Sequence, residues 1–361
     1  MNRYNLSKST KTALFFLSLL PLQWGLMWWF NLHPDDLELY YSPFFEAIST
    51  LQLYSLAWLP FSIGDVFYLF LVIWLAVLIY RFIKFKRNRL NRFISFLGFC
   101  ALFYTLFNVF WGFNYYRRPL NQQLQLSSDY STEALVEFTC ELIEVANASH
   151  LSIVENDTSA VNFNFSKSEM QNLVFEAYQE PSNFPNKLNY PTENIKSSLL
   201  SLPLSYAGFS GYLNPFTKEA QFNSLMPQYK WPTTMAHEVS HQLGFAKENE
   251  ANFIAALVCI NSKHKYLRYA GLTFALKYSL NDIYKRDPEL FKVMLADVNE
   301  GIIKNYKTSR QFWEKYRGPS EVIMKQIYGN FLKANNQPKG IETYSYVTAL
   351  LVNYHNTYQL F

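Results

Sequence analysis

The sequence predicts a mainly α-helical membrane protein. Three long apolar runs crowd its first third, the remainder places apolar residues at helical spacing, and only two short stretches alternate like strands. With 50% hydrophobic, 18% aromatic and 17% charged residues among 361, the composition excludes a disordered or fibrous chain, and the length allows two or three structural units. We divide the chain into a membrane domain over 1–116 and a soluble domain over 117–361.

Span one, about 12–32, carries no charge, and its 21 residues at about 1.5 Å each cover a hydrocarbon core of roughly 30 Å. A secretory signal has a shorter apolar core and a small-residue cleavage site. Here Trp28, Trp29 and Phe30 precede Asn31-Leu32-His33-Pro34, which reads as a retained helix with an aromatic belt; Pro21 kinks it at most. Span two covers about 62–80, with Asp65 at its outer edge, and span three about 93–114 without a charge. The competing reading is a buried hairpin in a soluble domain, and it requires three such runs to coincide in one globular chain.

Arg3, Lys8 and Lys11 precede span one, and Arg81, Lys84, Lys86, Arg87, Arg89 and Arg92 separate spans two and three, whereas the loop His33 to Pro60 has no Lys or Arg. The positive-inside rule then puts the N-terminus in the cytoplasm and everything after Asn114 outside it, in a multi-pass plasma (inner) membrane protein; Arg117 and Arg118 count against this. These nine basic residues and five acidic ones give 1–116 the whole net charge of +4, leaving 23 of each sign in the rest. A nucleic-acid partner is therefore not expected, and the partners implied are the lipid bilayer and a substrate.

In the soluble part, Ser131 can cap a helix bearing Leu135, Phe138, Leu142 and Val145, Ser166 and Glu169 form a capping box, and Asp287-Pro288 starts another helix. Val161, Phe163 and Phe165 alternate as a strand would, Glu219 to Leu225 does so more weakly, and the proline-dotted stretch from Pro181 to Pro232 reads as a loop-rich insertion. Sequons at Asn147, Asn156 and Asn164 matter only in a glycosylating pathway. Cys100, Cys140 and Cys259 are too few for a disulfide framework, and whether Cys140 and Cys259 pair is open.

One motif carries chemistry: His237-Glu238-Val239-Ser240-His241. Histidines four apart share a helix face and can bind one Zn²⁺, and the Glu that follows the first lies beside a metal-bound water as general base. Gly244 can end this helix, and Glu248-Asn249-Glu250-Ala251-Asn252 opens another. Glu248 and Glu250 compete as third ligand. At about 100° per residue Glu248 shares a face with Ala251, Asn252, Ala255 and Cys259, small enough for close approach of the two helices, while Glu250 turns to the opposite side. We expect Glu248 to ligate, Asn252 to hydrogen-bond a ligand imidazole, and Glu250 to be an ordinary first-turn acid.

Three stretches carry a resemblance: Asn214-Pro215-Phe216-Thr217-Lys218-Glu219-Ala220, the His-Glu-x-x-His helix with Glu248-x-Glu250-Ala251-Asn252-Phe253, and Tyr328-Gly329-Asn330-Phe331-Leu332-Lys333-Ala334-Asn335. Together they resemble a bacterial family of membrane-anchored, zincin-like proteins of unknown function, over essentially the whole chain. Lys218 stands where that family leads one to expect Gly. Glu248-x-x-x-Asn252 is also similar to the Glu-x-x-x-Asp of gluzincin peptidases, in which the Glu is the third zinc ligand and the Asp orients a ligand His. The resemblance implies a zincin-like domain, mainly helical with a small β element, and a peptidase-type site.

The expectation is thus a zinc metallopeptidase that hydrolyses a peptide or related amide bond, with Zn²⁺ held by His237, His241 and Glu248, Glu238 as base and Asn252 behind the ligands. The alternative is a non-catalytic envelope scaffold that keeps the fold, although such a protein is expected to lose Glu238 first. An intramembrane protease would need the motif inside a span, against which Lys230, Lys247 and Glu250 argue. His33, His150, His264 and His355 lack metal spacing, Ser210 lacks the strand and helix of a nucleophile elbow, and Cys259 reads as core. Tyr344, Tyr346 and Tyr354 read as helix packing, with one of them an open candidate for an oxyanion partner.

Overall fold

Residues 7–85, 89–180, 188–337 and 346–361 are described by a computed structural model. Arg3, Lys86, Arg87, Pro181 and Tyr344, all invoked above, lie outside them. Most of the chain is helical. Among the described residues, three helices are long and apolar enough to cross a membrane, Lys8–Leu32, Ile63–Lys84 and Arg89–Phe110, with mean hydropathies of 1.4, 2.4 and 1.9. Spans one and three pack side by side, with Gln23 reaching Thr105 (2.7 Å) and Asn108 (3.2 Å) between them, so amides and hydroxyls satisfy one another where lipid offers no partner.

Two expected boundaries shift. Span three ends at Phe110 and tightens into a 3-10 turn over Gly112–Tyr116. The segment from His33 to Pro60 is no simple loop: Pro34–Asp36, a π-helical turn Leu37–Tyr41 and the helix Ser42–Ala57 turn Leu37, Tyr41, Phe45 and Leu53 inward. Its acids account for the two arginines beyond span three. Glu38 receives both Nε and Nη2 of Arg117 at 3.0 Å, and Asp35 pairs with Arg118.

The chain beyond the third of these helices is a helical stack. Ser131 caps Thr132–Leu151, Ser166 and Glu169 close a capping box on Lys167–Gln179, and Asp287 caps Pro288–Ala296. At the centre runs Glu248–Asn261, buried almost all round, against Trp231–Gln242 on one side and Lys265–Arg286 on the other. Cys259 lies in that core and all three cysteines are free, so Cys140 and Cys259 do not pair.

The β element is one sheet in the order β1 (Ile195–Ser197), β3 (Ala220–Phe222), β2 (Gly211–Leu213), with β1 parallel and β2 antiparallel to β3. β3 lies within the weaker strand candidate, Glu219 to Leu225, whereas β1 and β2 fall in the stretch expected to be loop-rich. Strands of three residues are too short to show a period; β2 and β3 pack on Trp231–Gln242, and β1 pairs with β3. The expected strand at 161–165 does not form. Its backbone is taken by side chains: Asn305 bonds N–H and C=O of Val161 (both 3.1 Å), and Gln228 those of Phe165 (3.1 and 3.0 Å). Alternation reported a two-sided environment, since Val161 and Phe163 are buried, but the partner is not a strand.

The membrane and soluble parts are joined at the top of span two. Glu219, fully buried, accepts from the backbone N–H groups of Ile63 (2.9 Å) and Gly64 (2.6 Å) and from Thr217 Oγ1 (2.8 Å), capping the span from strand β3's edge. Asp65 in the first turn accepts from Leu199 N–H (2.7 Å), Ser198 and Tyr212. Phe216 reaches between spans two and three, against Phe67 (5.6 Å) and Phe103 (4.5 Å).

Lys218 adopts φ +55°, which explains why Gly is expected there. Its Nζ sits 3.9 Å from the centre of the Phe45 ring, buried and without a hydrogen-bond acceptor among the described residues, and burial holds its pKa well below the usual value. The unfolded chain therefore binds a proton that the folded chain refuses, between that depressed pKa and about 10.4, and stability rises with pH across the window. Lys218→Met should flatten this rise and stabilise the protein by about 1 to 3 kcal/mol at pH 7, read as thermal melts across pH 7 to 10. Equal slopes for both proteins would show that the lysine is not the cause.

Candidate functional site

The site is built where two helices cross. Pro232 in its first turn starts Trp231–Gln242, and the helix ends as Gly244 takes φ +94°, with Phe245 N–H returning to Ser240 O at 3.1 Å. The chain reverses and Glu248 opens the next helix. His237 and His241 thus project from one face, ring centres 4.7 Å apart and nearly perpendicular, toward the first turn of the second helix.

Glu248 Oε2 lies 3.2 Å from His237 Nε2 and 3.8 Å from His241 Nε2. The far nitrogen of each ring is engaged: His237 Nδ1 with Asn252 Oδ1 at 2.9 Å, His241 Nδ1 with the Phe245 carbonyl at 2.7 Å. Both partners accept only, so each Nδ1 carries the proton and each Nε2 offers a lone pair. Glu248 Oε2 is buried and, among the described residues, faces only these two imidazoles as hydrogen-bonding partners. Lone pairs of two imidazoles and one carboxylate therefore converge on a point that demands positive charge, from a proton or a cation. Burial disfavours an imidazolium at His241, yet Glu248 beside it carries its pKa up to about 9. Burial likewise opposes ionisation of Glu248, and the two imidazoles hold it well below the carboxylate range.

Glu238 is buried on the same helix, and His237, Glu238 and His241 each offer a ligand-type atom within 4.8 Å of one another. Burial pushes its carboxyl up to about 7, with the imidazoles pulling down. Glu238 turns toward β2, where a side chain at Gly211 would put Cβ 2.7 Å from its Oε1. A residue without Cβ lets the edge strand pass directly over the carboxylate.

The five residues singled out from the sequence, His237, Glu238, His241, Glu248 and Asn252, are thus brought together. Glu250 is not among them: it accepts from Leu120 N–H (2.9 Å) and lies 3.6 Å from Lys247 Nζ. His150 is spent on Ser159 O (2.8 Å), His355 pairs with Glu141 (3.1 Å), and Tyr354 packs on Phe253. Sequence reasoning missed Tyr328, whose hydroxyl donates to Glu248 Oε1, and Trp111, whose Nε1 donates to His241 O (3.3 Å). Tyr328 lies 80 residues from its partner, and Trp111 was read only as the end of a span; no spacing links either to the motif.

Fold and site together define a mainly helical protein with membrane-spanning helices and a buried His–Glu cluster on two crossed helices. The chain belongs to a family described as proteins of unknown function (DUF3810), whose profile matches residues 40–352, from the turn that follows span one into the last helix, Val347–Tyr358. No functionally curated protein and no solved structure matches it.

Proposed function

We propose that the protein is a membrane-anchored, zinc-dependent metallopeptidase that hydrolyses a peptide or related amide bond. The observation that carries this reading is the convergence of His237 Nε2, His241 Nε2 and Glu248 Oε2 with both Nδ1 protons already used. Neutral imidazoles and a carboxylate are donors that suit Zn²⁺, and three protein ligands leave a position open, unlike a structural site closed by four. Bound there, Zn²⁺ supplies Lewis acidity, polarising a carbonyl and bringing the pKa of a water toward about 7.

The chain's own residues do the rest. Asn252 and the Phe245 carbonyl fix the imidazole tautomers, and Tyr328 holds the second oxygen of Glu248, so that the three donor atoms are presented without rearrangement. Glu238, outside the ligand set, accepts the proton of the attacking water and returns it to the departing amine. A scaffold that merely retained the fold would have no use for a buried Glu238 whose pKa burial raises to about 7.

We further propose that the N-terminus is cytoplasmic and the domain from about residue 117 extracytoplasmic. Arg81, Lys84, Arg89 and Arg92 sit at the ends of spans two and three remote from Glu219 and Trp111, and the two arginines on the domain side are neutralised by Glu38 and Asp35. An alkaline phosphatase fused after Phe361 should be active and a fluorescent reporter that matures only in the cytoplasm should be dark. The reverse pattern would overturn the orientation.

A further inference from the structure

The helix Pro319–Ala334 supplies Tyr328 to the site and has an outer face that nothing in the described chain covers. Val322, Ile323 and Ile327 are each more than half exposed. Its neighbour Ser201–Ala207, joined to it through Ser320 Oγ and Tyr206 O (2.9 Å), likewise leaves Leu202 and Tyr206 half exposed, as is Leu199 just before it. Isolated exposed apolar residues need no explanation, but five on two packed helices, with Leu199 just ahead of the shorter one, form a patch.

Both ends of this patch are tied to the ends of spans. At one end, Phe331 packs on Phe107 of span three, ring centres 5.9 Å apart, and Lys333 and Ala334 line an open cleft with Met27, Trp28 and Asn31 of span one. At the other, Leu199 N–H is bonded to Asp65 in the first turn of span two. The patch is thus continuous with the face that the spans give to lipid, since span two is not covered by protein along its most apolar stretch and Trp24, Trp28 and Trp29 are exposed on span one. Lys333 at the end of the helix lies level with Trp28, where phosphate headgroups would meet an ammonium.

We propose that Pro319–Ala334 and Ser201–Ala207 lie on the surface of the same bilayer that the spans cross, with Val322, Ile323, Ile327, Leu199, Leu202 and Tyr206 toward lipid. The two helices also frame the site, because Phe209, two residues after the shorter one, packs on Tyr328 (5.3 Å) and leads directly to Gly211 over Glu238. The mouth of the site therefore opens at the membrane surface, and it takes a chain tethered to that bilayer. This last consequence rests on the hydrolase reading above; the lipid contact does not.

The test uses the full chain carrying Cys100→Ser and Cys140→Ser with one bimane-labelled cysteine, in phosphatidylcholine vesicles with or without chains brominated near the headgroup. Labels at Ile323→Cys and at Leu202→Cys should both be quenched by brominated lipid at least half as strongly as one at Ile73→Cys within span two. A label at Val293→Cys, equally exposed but on the helix Pro288–Ala296 that packs on Lys265–Arg286, should be unaffected. Two sites guard against a local defect at either. Labels at 323 and 202 as unquenched as that at 293 would overturn the lipid contact, and a spectral shift there that grows with protein concentration instead would assign the face to a second copy.

Discussion

Glu238→Gln should lose hydrolysis by about 10²- to 10⁴-fold while keeping its metal, the range expected when a general base is removed without disturbing binding. The amide matches the carboxylate in size, so the close pass of β2 at Gly211 is preserved and the strand keeps its place. What disappears is only the ability to take and return a proton. Turnover of a mixed library of quenched fluorescent peptides, measured beside metal content, checks both halves. Wild-type turnover by the variant would remove Glu238 from the chemistry, and loss of metal together with activity would make it a ligand.

Glu219→Ala should be the most damaging single change outside the site. It would orphan two backbone N–H groups at the start of span two, that of Gly64 buried and that of Ile63 partly so, and leave the buried hydroxyl of Thr217 without this acceptor. Each orphaned donor costs about 1 to 3 kcal/mol, so a loss on the order of 3 kcal/mol or more is expected. The effect should appear as a fall of several degrees in the thermal midpoint of the detergent-purified protein, with Glu219→Gln intermediate because one amide oxygen still accepts. An unchanged midpoint for Glu219→Ala would mean that span two is not held to the sheet through this carboxylate.

What the sequence disclosed and what it withheld follow a physical division. Spans and helix starts depend on neighbours in the chain: the charge-free run over 12–32 marks most of Lys8–Leu32, and Ser131, Ser166 and Asp287 act within one turn. The convergence of His237, His241 and Glu248 was legible for the same reason, since two helical periods and one glycine turn generate it. Of the sheet only β3 was legible, inside 219–225, because β1 and β2 are three residues long and find it only through the tertiary fold. Val161 to Phe165 shows the converse: the pattern of a strand, satisfied by the side chains of Asn305 and Gln228. Tyr328 and Trp111 join the site across long stretches of chain, where no local rule reaches.

Elemental analysis of the full chain, purified in detergent without chelator, tests whether His237, His241 and Glu248 form a metal site. One zinc per chain is expected. Zinc binding should weaken by about 10-fold or more when Glu248 is changed to Ala and stay near normal in Glu250→Ala, whose carboxylate is engaged at Leu120 and Lys247. A wild-type chain that holds no metal after incubation with zinc, or a Glu248→Ala variant that holds it as tightly as wild type, would contradict a metal site there.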